Sequence, residues 1–103
     1  MVKLIVLYPQ PADVEKFEED YKAHLRLTHE KAGIPADAKP YTVTKMFSIS
    51  PELPPFYKMF SLPFNSIEEL QAAAASPAMQ ELAADATRIS TGGPPVIMIG
   101  NDV

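Results

Sequence analysis

The chain has 103 residues, which is enough for one domain spanning 1–103 and too few for two. It contains no cysteine, so disulfides, thiol nucleophiles and thiolate metal sites are excluded. The net charge is −4, with scattered lysines and arginines, which argues against a nucleic acid partner because phosphate binding needs a basic patch.

The first predicted element is a strand over Val2–Tyr8, an apolar run that ends at Pro9 and Pro11. Val2, Leu4 and Val6 would point to one face of this strand, and Ile5 and Leu7 to the other. Both faces are therefore apolar, which indicates a strand covered on both sides. Its longest apolar run, Leu4–Tyr8, is far shorter than the ~20 residues that cross a membrane. No signal-peptide pattern is seen, so we expect a cytoplasmic protein without a membrane partner.

A helix follows from Asp13, which can cap its first turn, to about Lys31, with Gly33 at its end. Five side chains recur at spacings of three and four, which is the pattern of one helical face: Val14, Phe17, Tyr21, His24 and Leu25. A tyrosine and a histidine therefore lie on the face that is expected to be buried.

The middle of the chain predicts a β-hairpin. The stretch Tyr41–Ser50 alternates and is rich in β-forming residues, and Phe56–Phe64 gives the second strand after the short loop "PELPP".

A kinked or split helix is predicted from residue 66 to about residue 88. Ser66 and Glu69 form a capping box, and Pro77 interrupts the apolar pattern just after Ser76, which can cap a second segment. A last apolar strand, Pro95–Gly100, follows the turn "STGGPP".

The order β-α-β-β-α-β predicts an α+β fold of the ferredoxin-like type, with an antiparallel sheet and both helices on one face. The first and last strands are apolar on both faces, and Phe56 and Phe60 alternate with Tyr57 and Met59 in the third. Helices can cover only one of these faces, so we expect a homodimeric α+β barrel in which a second copy covers the other. The barrel interior, or the cleft between sheet and helices, would hold a small-molecule ligand, unless the sheets pack solidly.

The two histidines are the first candidates for chemistry. His24 could act as an acid or base near neutral pH, or it could be a half-buried side chain bonded to a backbone carbonyl. His29 lies about 140° further round the helix, so the two cannot share a ligand, and we expect His29 to be exposed and no metal to bind.

Tyrosines and an acidic residue complete the candidates. Tyr21, Tyr41 and Tyr57 carry hydroxyls that could line a pocket or simply pack. Asp85 and Arg88 are three residues apart and predict a surface ion pair. The sequence contains no phosphate-binding loop and no nucleophile elbow, so we expect no cofactor.

Three segments make the chain similar to a known family: "KLIVLY", "DVEKFEEDYKAHL" and "MQELAADATRISTGGPPVIMIG". It resembles the EthD family, named for ethyl tert-butyl ether degradation. The resemblance implies ferredoxin-like protomers that dimerise into an α+β barrel, within a superfamily that includes cofactor-free monooxygenases, muconolactone isomerases and decarboxylase-like enzymes.

The family's first helix carries an aromatic residue, a tyrosine and, four residues later, a histidine followed by Pro-Leu. Phe17 and Tyr21 match this pattern, whereas His24 follows Tyr21 by three residues and Leu25 takes the next place. Asp85 resembles an aspartate that is common near the end of the family's second helix, where it would orient a partner or a ligand.

These residues and the resemblance predict a protein that binds or acts on a small apolar organic molecule in catabolic or secondary metabolism. The expected catalytic set is His24 as acid/base with Tyr21 and Asp85, and the expected substrate-binding set is Tyr57, Phe17 and Tyr41. Tyr21 and Tyr57 would position a phenolic or carbonyl oxygen. The alternatives are a non-catalytic accessory or ligand-binding barrel and a regulatory barrel that senses a ligand.

Overall fold

The structure, a computed structural model, describes all 103 residues. Its elements in chain order are β1 Val2–Pro9, α1 Val14–Ala32, β2 Thr42–Lys45, β3 Phe56–Phe64, α2 Ile67–Ala74, α3 Pro77–Ile89 and β4 Val96–Asn101. The strands form one antiparallel sheet in the order β2-β3-β1-β4. This is the predicted ferredoxin-like α+β fold, with its second helix in two segments.

The predicted helix boundaries are confirmed by their caps. The Asp13 side chain accepts a hydrogen bond from the backbone N–H of Lys16 at 3.2 Å, and Gly33 ends α1 with a left-handed φ of 67°. Ser66 and Ser76 cap α2 and α3 in the same way, and Pro77 occupies the first turn of α3. No helix of the chain is both long and apolar enough to cross a bilayer.

The strand β2 is shorter than the predicted Tyr41–Ser50. Its pairing continues only to Met46, whose N–H donates to the carbonyl of Tyr57 at 2.9 Å. The chain then leaves the sheet in a loop, 47–55, because three prolines in "SPELPP" lack the N–H groups that a ladder needs. Phe47, Ile49 and Leu53 are exposed in this loop.

One face of the sheet packs on the helices. Strand pairing aligns Leu4 with Leu62 and Val6 with Phe60, and this face also carries Tyr8, which contacts the rings of α1. The buried cluster centred here joins β1, β3, α1 and α3. The space between this face and the helices is where the candidate site lies.

The opposite sheet face, which we call the outer face, is also apolar, as the sequence predicts. It carries Ile5 and Leu7 of β1, Met59 of β3, and Val96 and Met98 of β4, which lie beside one another in the pairing. Val96 and Met98 are exposed in the single chain. None of the three helices covers this face.

Tyr57 departs from the predicted alternation. The β1–β3 register shifts between Tyr8 and Pro9, so Tyr57 has no partner residue in β1, while Lys58 opposes Tyr8. At this irregularity the Tyr57 ring lies 5.6 Å from the ring of Phe17, on the helix side. Tyr57 therefore does not share the outer face with Met59.

Candidate functional site

A cavity of about 210 Å³ lies between the sheet and the helices. Of its 15 lining residues 12 are hydrophobic, so the few polar members determine what it can recognise. The lining residues are Leu4, Val6, Tyr8, His24, Thr28, Ala32, Phe60, Leu62, Ala74, Met79, Gln80, Leu82, Ala83, Ala86 and Ile97. The interior between sheet and helices is therefore not solid.

His24 lies in the wall of this cavity. Its side chain is bonded through Nδ1 to Oδ2 of Asp85 at 2.8 Å, and not to a backbone carbonyl. An ionised carboxylate can only accept, so the Nδ1 of His24 carries the proton. When the ring is neutral, this leaves Nε2 as the atom that can accept a hydrogen bond from a ligand.

Asp85 holds His24 from α3. Its other oxygen, Oδ1, accepts from Arg88 at 2.9 Å. Burial acts to raise the pKa of Asp85, but hydrogen bonds from His24 and Arg88 and their positive charge outweigh it, so the pKa lies below its usual value. The predicted surface pair with Arg88 is present: the Arg88 side chain is 60% exposed, whereas the Asp85 side chain is only 18% exposed.

Tyr21 contacts His24 without lining the cavity. Its ring is stacked on Phe17 and lies 6.0 Å, centroid to centroid, from the His24 ring. The Tyr21 hydroxyl is buried with no hydrogen-bond partner. Burial, followed by nearby negative charge, raises the pKa of Tyr21 above its ordinary value, so its proton is firmly held.

The three predicted substrate-binding residues are placed elsewhere. Phe17, Tyr41 and Tyr57 do not line the cavity beside His24. Phe17 packs against the rings of Tyr8, Tyr21 and Tyr57. Tyr41 stacks on Phe60 at 5.2 Å. Their role in binding a substrate stays a prediction.

The prediction that His29 is exposed is wrong. His29 is half-buried, with Nε2 2.6 Å from the hydroxyl of Tyr41 and Nδ1 3.1 Å from the carbonyl of Pro35. The loop that follows α1 returns Pro35 and Tyr41 to the helix end and covers the ring. No three histidine, aspartate or glutamate side chains come together in a group that could hold a metal ion.

Three polar lining residues were not predicted from the sequence: Tyr8, Thr28 and Gln80. Tyr8 ends the buried set Leu4, Val6 and Tyr8 on β1, and its pKa is raised by burial and by the charge of Asp85. Thr28 follows His24 by one helical turn and donates to the His24 carbonyl at 2.9 Å. Counting every second residue along β1 identifies Tyr8, and counting four residues on from His24 identifies Thr28.

Comparison with known proteins gives matches among solved structures. A scan against protein-family models and a search of curated proteins found nothing that matches. An EthD family protein from Bacillus halodurans C-125 is 30% identical, with 100% of this chain and 99% of that one covered and a TM-score of 0.82.

Two further structures are similar in fold. A dimeric ferredoxin-like protein from Jannaschia sp. CCS1 is 10% identical, covering 98% of each chain at a TM-score of 0.70. An EthD-like protein from Ralstonia eutropha JMP134 is 24% identical, covering 97% of this chain and 89% of that one at a TM-score of 0.65. The full-length identity to the B. halodurans protein shows that this chain belongs to the ethyl tert-butyl ether degradation (EthD) family.

Proposed function

We propose that the protein binds a small, mainly apolar organic molecule in the cavity and exchanges a proton with it through His24. The observation that carries the proposal is that His24, bonded to Asp85, lines a cavity whose wall is mainly apolar. The reaction belongs to catabolic or secondary metabolism, and the ligand presents a phenolic or carbonyl oxygen to the ring.

The chemistry follows from the pair. When Nε2 of His24 accepts a proton, the imidazolium remains bonded to the Asp85 carboxylate, whose charge stabilises it. Arg88 holds the carboxylate from the other side and fixes its direction. In a cavity with few polar groups, this pair is the main source of charge complementarity for a ligand that becomes an oxyanion.

A homodimer is part of the proposal. The outer face of the sheet carries Ile5, Leu7, Met59, Val96 and Met98, and exposed apolar patches of this kind mark interaction surfaces. The similar protein from Jannaschia sp. is dimeric. A second copy packed through the same face closes the α+β barrel and leaves the His24 cavity on the helix side of each protomer.

A second candidate function is ligand binding without turnover. It is favoured by Tyr21, whose hydroxyl would be needed to position a reacting oxygen but is buried away from the cavity. In this case His24 would only donate to or accept from the ligand. The protein would then be an accessory or ligand-sensing barrel.

The two functions differ in what they do to 4-nitrophenol, whose absorbance reports its ionisation. If His24 accepts the phenol proton, the bound probe should be more ionised than the free probe at the same pH. A cavity that only binds should make the probe less ionised, because an apolar environment disfavours the phenolate.

The test compares the wild type with His24→Ala and with His29→Ala, which removes the histidine that does not line the cavity. We expect the increase in ionisation in the wild type and in His29→Ala, and its loss in His24→Ala. An equal increase in His24→Ala, or a decrease in the wild type, would contradict proton exchange at His24. Once a substrate is known, unchanged turnover of His24→Ala would do the same.

A further inference from the structure

A second cavity adjoins the first. It has a volume of about 420 Å³ and lies between the end of α1, strand β3 and the junction of α2 with α3. The two cavities share four lining residues, Ala32, Leu62, Met79 and Leu82. They therefore adjoin across these four residues, and we call the one lined by His24 the inner cavity and the one lined by Lys31 the outer cavity.

We propose that the ligand of this protein is elongated, with its oxygen at His24 and an unbranched alkyl tail that passes Met79 and Leu82 into the outer cavity. This rests on the proposed function, because it takes the ligand's polar end to be held by His24. It adds the class of molecule: a phenol or carbonyl compound with a hydrocarbon chain.

The volumes favour a long ligand over a compact one. The inner cavity, at about 210 Å³, lies below the ~300–1,000 Å³ that is usual for small-molecule sites, so by itself it suits little more than a ring. The outer cavity at about 420 Å³ provides the missing space. Met79 at the boundary is an unbranched, flexible side chain that can adapt to a passing chain.

The polar groups of the outer cavity favour hydrocarbon over a charged tail end. Ser76 already uses its hydroxyl twice, since it donates to the Ala73 carbonyl at 2.6 Å and accepts from the Met79 N–H at 3.2 Å. Lys31 is paired through Nζ with Glu81 at 3.0 Å. Because Ser76 and Lys31 already have these partners, neither needs a polar group at the end of the ligand.

The prediction is a dependence of affinity on tail length. Isothermal titration calorimetry with 4-methyl-, 4-propyl-, 4-pentyl- and 4-heptylphenol should show Kd falling about three- to fourfold for each added methylene that becomes buried. The fall should stop when the outer cavity is full.

Two neighbouring alanines of α2 give a matched pair of variants. Ala73 lines the outer cavity and not the inner one, whereas Ala72 is exposed and lines neither. Ala73→Leu should leave 4-methylphenol binding within twofold of the wild type and remove the gain from longer tails. Ala72→Leu should keep the full gain. Ala78→Leu, which narrows the outer cavity from α3, should reproduce the effect of Ala73→Leu if that variant folds poorly.

The outcomes separate this inference from the proposed function. If 4-methylphenol binds and His24→Ala weakens it, but longer tails bring no gain or the gain survives both filled variants, the elongated ligand is overturned while the site at His24 stands. If none of the phenols binds the wild type, both are overturned. Gain in the wild type and in Ala72→Leu, with loss in Ala73→Leu and Ala78→Leu, supports the inference.

Discussion

Two buried tyrosines, Tyr21 and Tyr41, differ in whether the hydroxyl has a hydrogen-bond partner, and this decides what each hydroxyl contributes to stability. Tyr21 buries its hydroxyl with no partner, whereas the Tyr41 hydroxyl is bonded to Nε2 of His29 at 2.6 Å. A buried unpaired hydroxyl costs about 1–3 kcal/mol, while a typical bonded one contributes about 1 kcal/mol. The two tyrosines should therefore respond oppositely to loss of the oxygen.

We predict that Tyr21→Phe leaves the free energy of unfolding unchanged or raises it by up to about 1 kcal/mol, and that Tyr41→Phe lowers it by a similar amount. Urea unfolding monitored by circular dichroism measures both, and each variant is the control for the other. A clear loss of stability in Tyr21→Phe would show that its hydroxyl has a partner, such as a bound water.

The sequence predicts part of the site at this scale. Helical spacing places His24 on the face of Phe17 and Tyr21, and this is confirmed, since all three side chains are buried. The hydrogen bond between His24 and Asp85 joins residues that are 61 positions apart in the sequence, and no local sequence pattern predicts that these two side chains meet. Tyr57 was placed on the wrong face, because a register shift breaks period-two counting without leaving a mark in the sequence.

Among the elements, the helices were the most predictable part, because capping residues act locally. Ser66, Ser76 and Pro77 fix the starts of α2 and α3 within one turn of chain. The extent of β2 was not predictable in the same way. The residues that follow β2, Phe47–Ser50, include the β-forming Phe47 and Ile49, but pairing requires a partner strand alongside, and β3 begins only at Phe56.

The turn between α3 and β4 is held against the connection between β1 and α1. Thr91 accepts a hydrogen bond from the Ala12 N–H at 3.1 Å, and a Cβ on Gly92 would lie only 1.7 Å from the carbonyl oxygen of Gln10. Two backbone segments therefore meet closely at Gly92, and neither can move aside as a side chain would.

We predict that Gly92→Ala lowers the free energy of unfolding by about 3 kcal/mol or more, since the clash is with backbone. Gly33→Ala is the control: its Cβ would meet nothing within 4 Å, so only its left-handed φ of 67° opposes it, at about 1–2 kcal/mol. Thermal unfolding of both variants measures the difference. If Gly92→Ala were the more stable of the two, the close approach would not exist.

At the scale of the whole molecule, the order of elements was sufficient to predict the fold. Alternating apolar runs and helical patterns in the order β-α-β-β-α-β specify a ferredoxin-like sheet, and the observed order β2-β3-β1-β4 agrees. The apolar outer face was also predictable from the sequence, because β1 and β4 carry mainly apolar residues on both of their faces. A second copy packed on that face is a prediction, which the mass of the protein in solution tests.

We predict that Met98→Lys converts the proposed dimer into a monomer, because two-fold packing through the outer face would bury a lysine from each copy. Val14→Lys is the matched control. Val14 is 46% exposed and Met98 44%, but Val14 lies at the start of α1, away from the sheet face. Size-exclusion chromatography with light scattering gives the mass of each. A wild type that is monomeric at micromolar concentration would overturn the dimer directly.

The pairing of the first strand with the last brings the two chain ends together: Val2 lies opposite Asn101, and the Asp102 N–H donates to the Met1 carbonyl at 3.3 Å. Any segment fused to either end must leave from one corner of the sheet. A few added residues could instead join the ends there, and the chain could be reopened in the loop 47–55 with every strand neighbour kept. A circularly permuted form of this protein is thus geometrically available from its native contacts.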